Sequence, residues 1–202
     1  MSPRCFAYAW GCHTDISHKE FEGRATFAAN FIGGADTDKQ GHGTHVAGTI
    51  ASKTYGVAKK ARVYSVKVLG DDGYGTTASL LAGIDFVPQD APSRGCRNGV
   101  LANMSLSFNG VVSSVEQAVD RLVLEGDVFL GVAAGNDDTD VYWVSPAGNA
   151  NACTVAALNS TSDARTEWSN FGAKVNVIAP GLGVLSTWIN GGTVSSFSSP
   201  RL

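Results

Sequence analysis

The side chains best placed to do chemistry are His42 and His45, three residues apart in Gly41-His42-Gly43-Thr44-His45-Val46-Ala47-Gly48, a stretch of small residues that runs on to Ala51. Imidazole exchanges a proton near neutral pH, so a ring held still at the mouth of a helix is a candidate general base. Glycine on both sides of His42 lets another backbone or a ligand come close to it. A helical zinc pair stands four residues apart with a glutamate between, whereas Gly43 and Thr44 separate these two histidines. A dinucleotide loop fails as well, because Val46 stands where GxGxxG needs its last glycine. The second candidate is Asn136, which follows Ala133-Ala134-Gly135 at the end of an apolar run. A side-chain amide held there donates its N–H to a developing oxyanion, although Gly-Asn taken alone most often marks a turn.

Elements must hold these groups. Residues 5–10 read as a short buried strand and 21–32 as a looser apolar stretch, followed by a polar loop at 35–40. A helix beginning at His42 is followed by an alternating β-branched strand at 61–69, the turn Gly70-Asp71-Asp72-Gly73 and a helix over 76–89. Residues 100–106 predict the next strand. Val115, Ala118, Val119, Leu122 and Val123 make one stripe of a helix over 113–125, closed by Gly126 as its C-terminal cap. Buried strands are expected at 127–134, 153–158 and 175–179, and residues 193–202 are expected to form no element. Strands alternating with helices, several of them continuously apolar, predict an α/β fold of three layers, a mostly parallel sheet with helices on both faces. Such sheets bind ligands at the carboxyl ends of their strands.

The length suits one domain with a sizeable core, and a hydrophobic content of 44% fits a globule rather than a disordered tail. A formal charge of -3 provides no basic field, which argues against nucleic acid or an anionic membrane as partner. No apolar run reaches the roughly 18 residues of a membrane helix. Met1-Ser2-Pro3-Arg4-Cys5 lacks the apolar core of an export signal. The four cysteines, Cys5, Cys12, Cys96 and Cys153, form no CxxC pair.

The octapeptide around His42 resembles the histidine segment of the subtilisin-like serine proteases, and Thr54-Tyr55-Gly56-Val57-Ala58-Lys59-Lys60-Ala61 is similar to the proteinase K branch of that superfamily. Ala133-Ala134-Gly135-Asn136 and Ser145-Pro146-Ala147 fall in the same register, and the resemblance covers about 15–198, a single incomplete peptidase domain. It implies a secreted serine endopeptidase acting as a monomer on peptide or protein substrates, with His42 as general base, His45 structural and Asn136 in the oxyanion hole. It further implies substrate binding by strand addition between Gly73-Tyr74-Gly75 and Ser105-Leu106-Ser107, with Ala133, Ala134 and Gly135 beside the oxyanion donor. A Cys5–Cys96 disulfide follows from the same likeness, as do weak calcium positions at Ala150, Ala152 and Asn176, where an amide replaces the usual carboxylate.

The chain also departs from the pattern. The orienting aspartate belongs at the end of the first strand, where Ala9, Trp10 or Gly11 stands, and Asp15 lies four residues too far on for the ~1 Å tolerance of a catalytic pair. After Ser186-Thr187-Trp188-Ile189 the chain diverges about where the nucleophilic serine is expected, and Ser198 and Ser199 lack the glycine turn and helix. Phe108 stands where the family has a glycine run, so it either narrows the primary pocket or blocks it. The expectation is a subtilisin-type endopeptidase that lacks the triad's Asp and Ser and does not cleave peptides. The alternatives are a non-catalytic peptide-binding pseudoprotease, or a gene-model fragment whose sheet is left uncovered.

Overall fold

The computed structural model describes residues 6–95 and 99–195. In chain order the first half holds β1 (Phe6–Gly11), β2 (Ala25–Asn30), α1 (His42–Ala51), β3 (Arg62–Lys67) and α2 (Thr77–Asp90). Next come β4 (Val100–Met104), β5 (Phe108–Asn109), α3 (Ser113–Leu124), β6 (Val128–Ala133) and β7 (Val144–Ser145). The last part holds β8 (Cys153–Asn159), β9 (Ala164–Arg165), β10 (Val177–Pro180), β11 (Leu185–Trp188) and β12 (Gly192–Ser195).

The main sheet runs β10-β8-β6-β4-β1-β3-β2, with every neighbouring pair parallel, and β9 adds an antiparallel edge to β8. The path from β1 to β3 moves one way across the sheet, and the path from β3 through β4 to β6 moves back. The core clusters put α1 on one face and α2 and α3 on the other. α1 links the edge strand β2 inward to β3, the same direction in which α2 links β3 to β4, so with the two helices on opposite faces the α1 crossover has the opposite hand to that of α2. Strand alternation serves both layers. Tyr8 and Trp10 of β1 join Ile84, Val119 and Leu122 in the core beneath α2 and α3, while Ala9 packs with Ala47, Ala51, Phe21 and Val63 beneath α1. Small residues on that second side let α1 lie close to the sheet.

The two faces are unequally covered. On β4 and β6, Ala102, Met104, Val128, Leu130 and Val132 are buried under α2 and α3. The opposite side of the same strands carries Leu101, Asn103, Phe129, Gly131 and Ala133, and Phe129 is 58% exposed. The expected three-layer order thus holds over β1 and β3, and among the described residues no helix lies over the far side of β4, β6 and β8.

Two local expectations need correction. Gly126 does not take the left-handed capping conformation: Glu125 and Gly126 both donate their amides to Arg121 O, and the left-handed residue is Asp127, at φ 51°. Residues 193–195 are not irregular but belong to β12, which pairs antiparallel with β11. Asn190 at φ 60° and Gly191 at φ 72° make the tight turn between those strands, with the Gly192 amide donating to Ile189 O at 3.2 Å. Asn-Gly is the dipeptide that such a turn favours. The Cys5–Cys96 pairing, Ser198 and Ser199 lie outside the described residues, while Cys12 and Cys153 are free thiols.

Candidate active site

His42 opens α1 at the carboxyl edge of the sheet, the end at which open α/β sheets bind ligands. Its position is fixed from three sides. Asp38 accepts the amides of Gly41 at 2.7 Å and Thr44 at 3.0 Å, and also the Thr44 hydroxyl at 2.6 Å, so its carboxylate satisfies the exposed donors of the first turn. From below, the end of β1 presses on the helix: a Cβ on Gly43 would stand 2.1 Å from His13 O and 2.3 Å from Cys12 O. From the side, Thr187 Oγ of β11 donates to Thr44 O at 2.8 Å and Ser186 Oγ to His45 O at 2.9 Å. His45 is consumed in this bracing, with its ring Nε2 3.0 Å from Val184 O and its edge against Trp188.

Asn136 stands just beyond β6. Gly135, at φ 104°, turns the chain there, and a Cβ on it would meet the Asn170 amide nitrogen at 2.3 Å. That buried Asn170 ties the loop together: its amide donates to Ala134 O at 2.9 Å, and its oxygen accepts the amides of Asp137 and Thr139. Sequence reasoning passed over Asn170 and Asp38, since nothing in their local spacing distinguishes them from ordinary loop residues. His42 and Asn136 line one cleft of about 400 Å³ together with Asn103, Ser105, Ala133, Ala134 and Gly135. The cleft runs onto the open face of β6 and β8.

The electrostatics of His42 are those of a neutral ring. Burial holds its pKa below 6.5, the neighbouring His45 acts in the same direction, and Asp38 opposes them. The Nδ1 atom is buried and has no hydrogen-bond partner among the described residues. Of the three positions at which an orienting carboxylate is expected, Trp10 points into the opposite core and Ala9 packs beneath α1. Gly11 shares the parity of Ala9 and so faces α1 at the strand end, and a Cβ there would meet nothing within 4 Å. Cys12, the next residue, donates its thiol to Gln40 Oε1 at 3.1 Å, and burial, followed by the nearby Asp38, pushes its pKa up to about 11. The serines of the cleft are otherwise engaged. Ser105 accepts the Asn103 amide at 3.0 Å, and Ser169 accepts the Ala157 amide while donating to Asn170 O.

The two expected substrate edges face each other. Gly73, Tyr74, Gly75, Leu106 and Ser107 line a cleft of about 220 Å³, and Ser105, Leu106 and Ser107 continue into a small recess against Ala133, Gly135 and Asn136. Phe108 pairs with Ser145 through β5 and β7, and its ring lines the larger cleft rather than the recess. It therefore does not fill the recess beside Asn136, because the β5–β7 pairing turns it away. At the calcium positions, Asn176 Oδ1 accepts the Thr154 amide at 2.7 Å, so the side chain that stands in for the carboxylate serves to join two chain segments. Among the described residues no three His, Cys, Asp or Glu side chains converge as a metal site.

A parallel sheet with a glycine-flanked histidine at one strand edge and an asparagine amide at another, over a shared cleft, defines a hydrolase scaffold of the subtilisin type. The chain belongs to the subtilase family, whose profile matches residues 16–201. It is 54% identical over 192 residues to the cuticle-degrading protease of Metarhizium anisopliae, covering 93% of this chain and 49% of that protein. It is 47% identical to proteinase T of Parengyodontium album, covering 92% of this chain and 64% of the relative. The fold matches the crystal structure of a cold-adapted subtilisin-like serine proteinase with a TM-score of 0.87 at 36% identity, over 96% of this chain and 68% of the other. The chain spans about half to two-thirds of the length of these curated relatives.

Proposed function

We propose that these residues form the base-and-oxyanion half of a subtilisin-type serine endopeptidase and do not by themselves cleave peptide bonds. The observation that carries this reading is the His42 ring: it shares a cleft with Asn136, but its buried Nδ1 meets no carboxylate among the described residues. In a Ser-His-Asp site the carboxylate fixes the tautomer and stabilises the imidazolium as the base takes the serine proton. Gly11 at the strand end supplies neither function, and the cleft serines are held by other partners. Because triad members act as a unit, one missing member removes nearly the whole effect. On the likeness to secreted peptidases we assign the chain an extracellular setting and peptide or protein substrates, with no calcium needed at Asn176. An active-serine probe such as a fluorophosphonate tests the reading by intact mass: the 202-residue chain stays unmodified, and a stoichiometric adduct lost in His42→Ala overturns it.

A second reading rests on the paired edges. Gly73–Gly75 face Leu106 and Ser107 across one cleft of about 220 Å³, the arrangement by which an extended peptide adds a strand. A pseudoprotease would then hold peptides without cutting them. Calorimetry with an uncleaved, blocked peptide separates the two, since saturable binding supports a peptide-holding role and its absence removes it.

A further inference from the structure

Two of the chain's asparagines head an Asn-x-Ser/Thr triplet, Asn103-Met104-Ser105 and Asn159-Ser160-Thr161. In a secreted protein such a triplet is an acceptor of N-linked oligosaccharide, and it serves where it stands at the surface, clear of the packed fold. The fold treats the two differently. Asn103 is inside β4, in register with Ala9 of β1 on one side and with Gly131 of β6 on the other. Met104 is fully buried in the core beneath α2 and α3, and Asn103 Nδ2 is spent on Ser105 Oγ at 3.0 Å. To present this triplet to an enzyme, a strand paired on both sides would have to leave the sheet.

Asn159 is the last residue of β8, where the chain turns back into β9. Its carbonyl accepts the Asp163 amide at 2.8 Å, Asp163 takes the left-handed conformation at φ 54°, and Ala164 returns opposite Asn159. Residues 160–165 are all exposed. Asn159 Oδ1 accepts the Thr161 amide at 2.9 Å, whereas its Nδ2 and the hydroxyls of Ser160 and Thr161 make no hydrogen bond among the described residues. The nitrogen that would be modified is therefore free, and nothing in the fold has to be broken to reach it. Asn159 lines none of the clefts of His42, Asn136 and the two substrate edges, so a group attached to it starts outside them.

We propose that Asn159 is a site of N-linked glycosylation and that Asn103, despite the same triplet, is not. The donor is an oligosaccharide carried on a lipid diphosphate. Asn159 Nδ2 forms a bond to the anomeric carbon of the first sugar while the bond from that carbon to the diphosphate oxygen breaks. The lipid diphosphate leaves with the electron pair, and the amide gives one proton to a base of the transferase. The inference rests on the extracellular setting proposed above, because the donor and the transferase belong to the export route.

The test is to express the full 202-residue chain in yeast behind a host export signal and to treat it with an endoglycosidase. The supplied signal brings the chain to the transferase whatever its native route, so the outcome bears on Asn159 and leaves the native setting to be tested separately. Whole-cell lysate is scored as well as medium, so that a variant retained for misfolding is still read. One endoglycosidase-sensitive shift is expected, lost in Asn159→Gln and kept in Asn103→Gln. Thr161→Ala is expected to lose it too, although the bond to Asn159 Oδ1 comes from the backbone amide and survives, while Thr161→Ser keeps it. Enzymatic deglycosylation in 18O water, followed by peptide mapping, marks Asn159 as labelled Asp and leaves Asn103 unmarked. An unshifted parent chain, a shift that survives Asn159→Gln, or a mark at Asn103 overturns the assignment.

Discussion

Gly43 shows how much of the site rests on one missing methyl group. The carbonyls of Cys12 and His13 stand 2.3 and 2.1 Å from where its Cβ would be, and backbone gives way less readily than a flexible side chain. Gly43→Ala must therefore lift α1 from the end of β1, at a cost of about 1–3 kcal/mol or more, as for other overpacked positions. Urea unfolding of the variant measures this; an unchanged midpoint would show that the contact is soft. The same contact explains what the sequence could and could not reveal. That glycines flank His42 predicted a close approach, but not which backbone makes it. That no acid stands at the end of β1 was legible, whereas the choice among Ala9, Trp10 and Gly11 needed strand parity, which the local residues leave open. Asn170 was invisible, because a buried asparagine that ties a loop across more than thirty residues carries no short-range signature.

At the scale of elements, helix starts and strand periods read well where the signal was local. Thr76 is the N-cap of α2: its hydroxyl accepts the Ser79 amide at 3.0 Å and Ser79 Oγ accepts the Thr76 amide at 3.0 Å, a reciprocal capping box. Thr76→Ala removes half of it and is expected to cost about 1 kcal/mol, read as a lower urea midpoint with an unchanged slope. A midpoint equal to that of the parent would mean that α2 is held by its packing alone. The β11–β12 hairpin went unread although Asn190-Gly191 is a strong turn signal, because the serine-rich stretch after it masked the short strand. Its role is positional, since Ser186 and Thr187 of β11 grip the first turn of α1.

For the whole molecule, the unequal cover of the sheet and three buried or half-buried histidines set the behaviour in solution. His13, His42 and His45 all have pKa values held below 6.5 in the folded chain, each chiefly by burial. The unfolded chain therefore binds more protons than the folded one as the pH falls through about 6.5, and stability declines on the acid side of that value. The expected result is a lower urea midpoint at pH 5.5 than at pH 7.5; equal midpoints would contradict the neutral state of these rings. Above that range the three rings are neutral in both states and contribute no slope. The parallel pairing of the sheet followed from the alternation of strands with helices, whereas the order of its strands was not legible in the sequence. The bare side of β4 and β6 was foreseen only as an uncovered sheet, because sequence patterning cannot say which face a helix leaves open.

The central claim is that the base of the site stands without its orienting carboxylate, and the titration of His42 followed by NMR tests it most directly. With Nδ1 buried and unpartnered, the ring titrates below 6.5, and Gly11→Asp, which places a carboxyl on the open side of β1 facing α1, moves it upward. A pKa above 6.5 in the unsubstituted chain would mean that a negative group already holds Nδ1, and the account would be wrong.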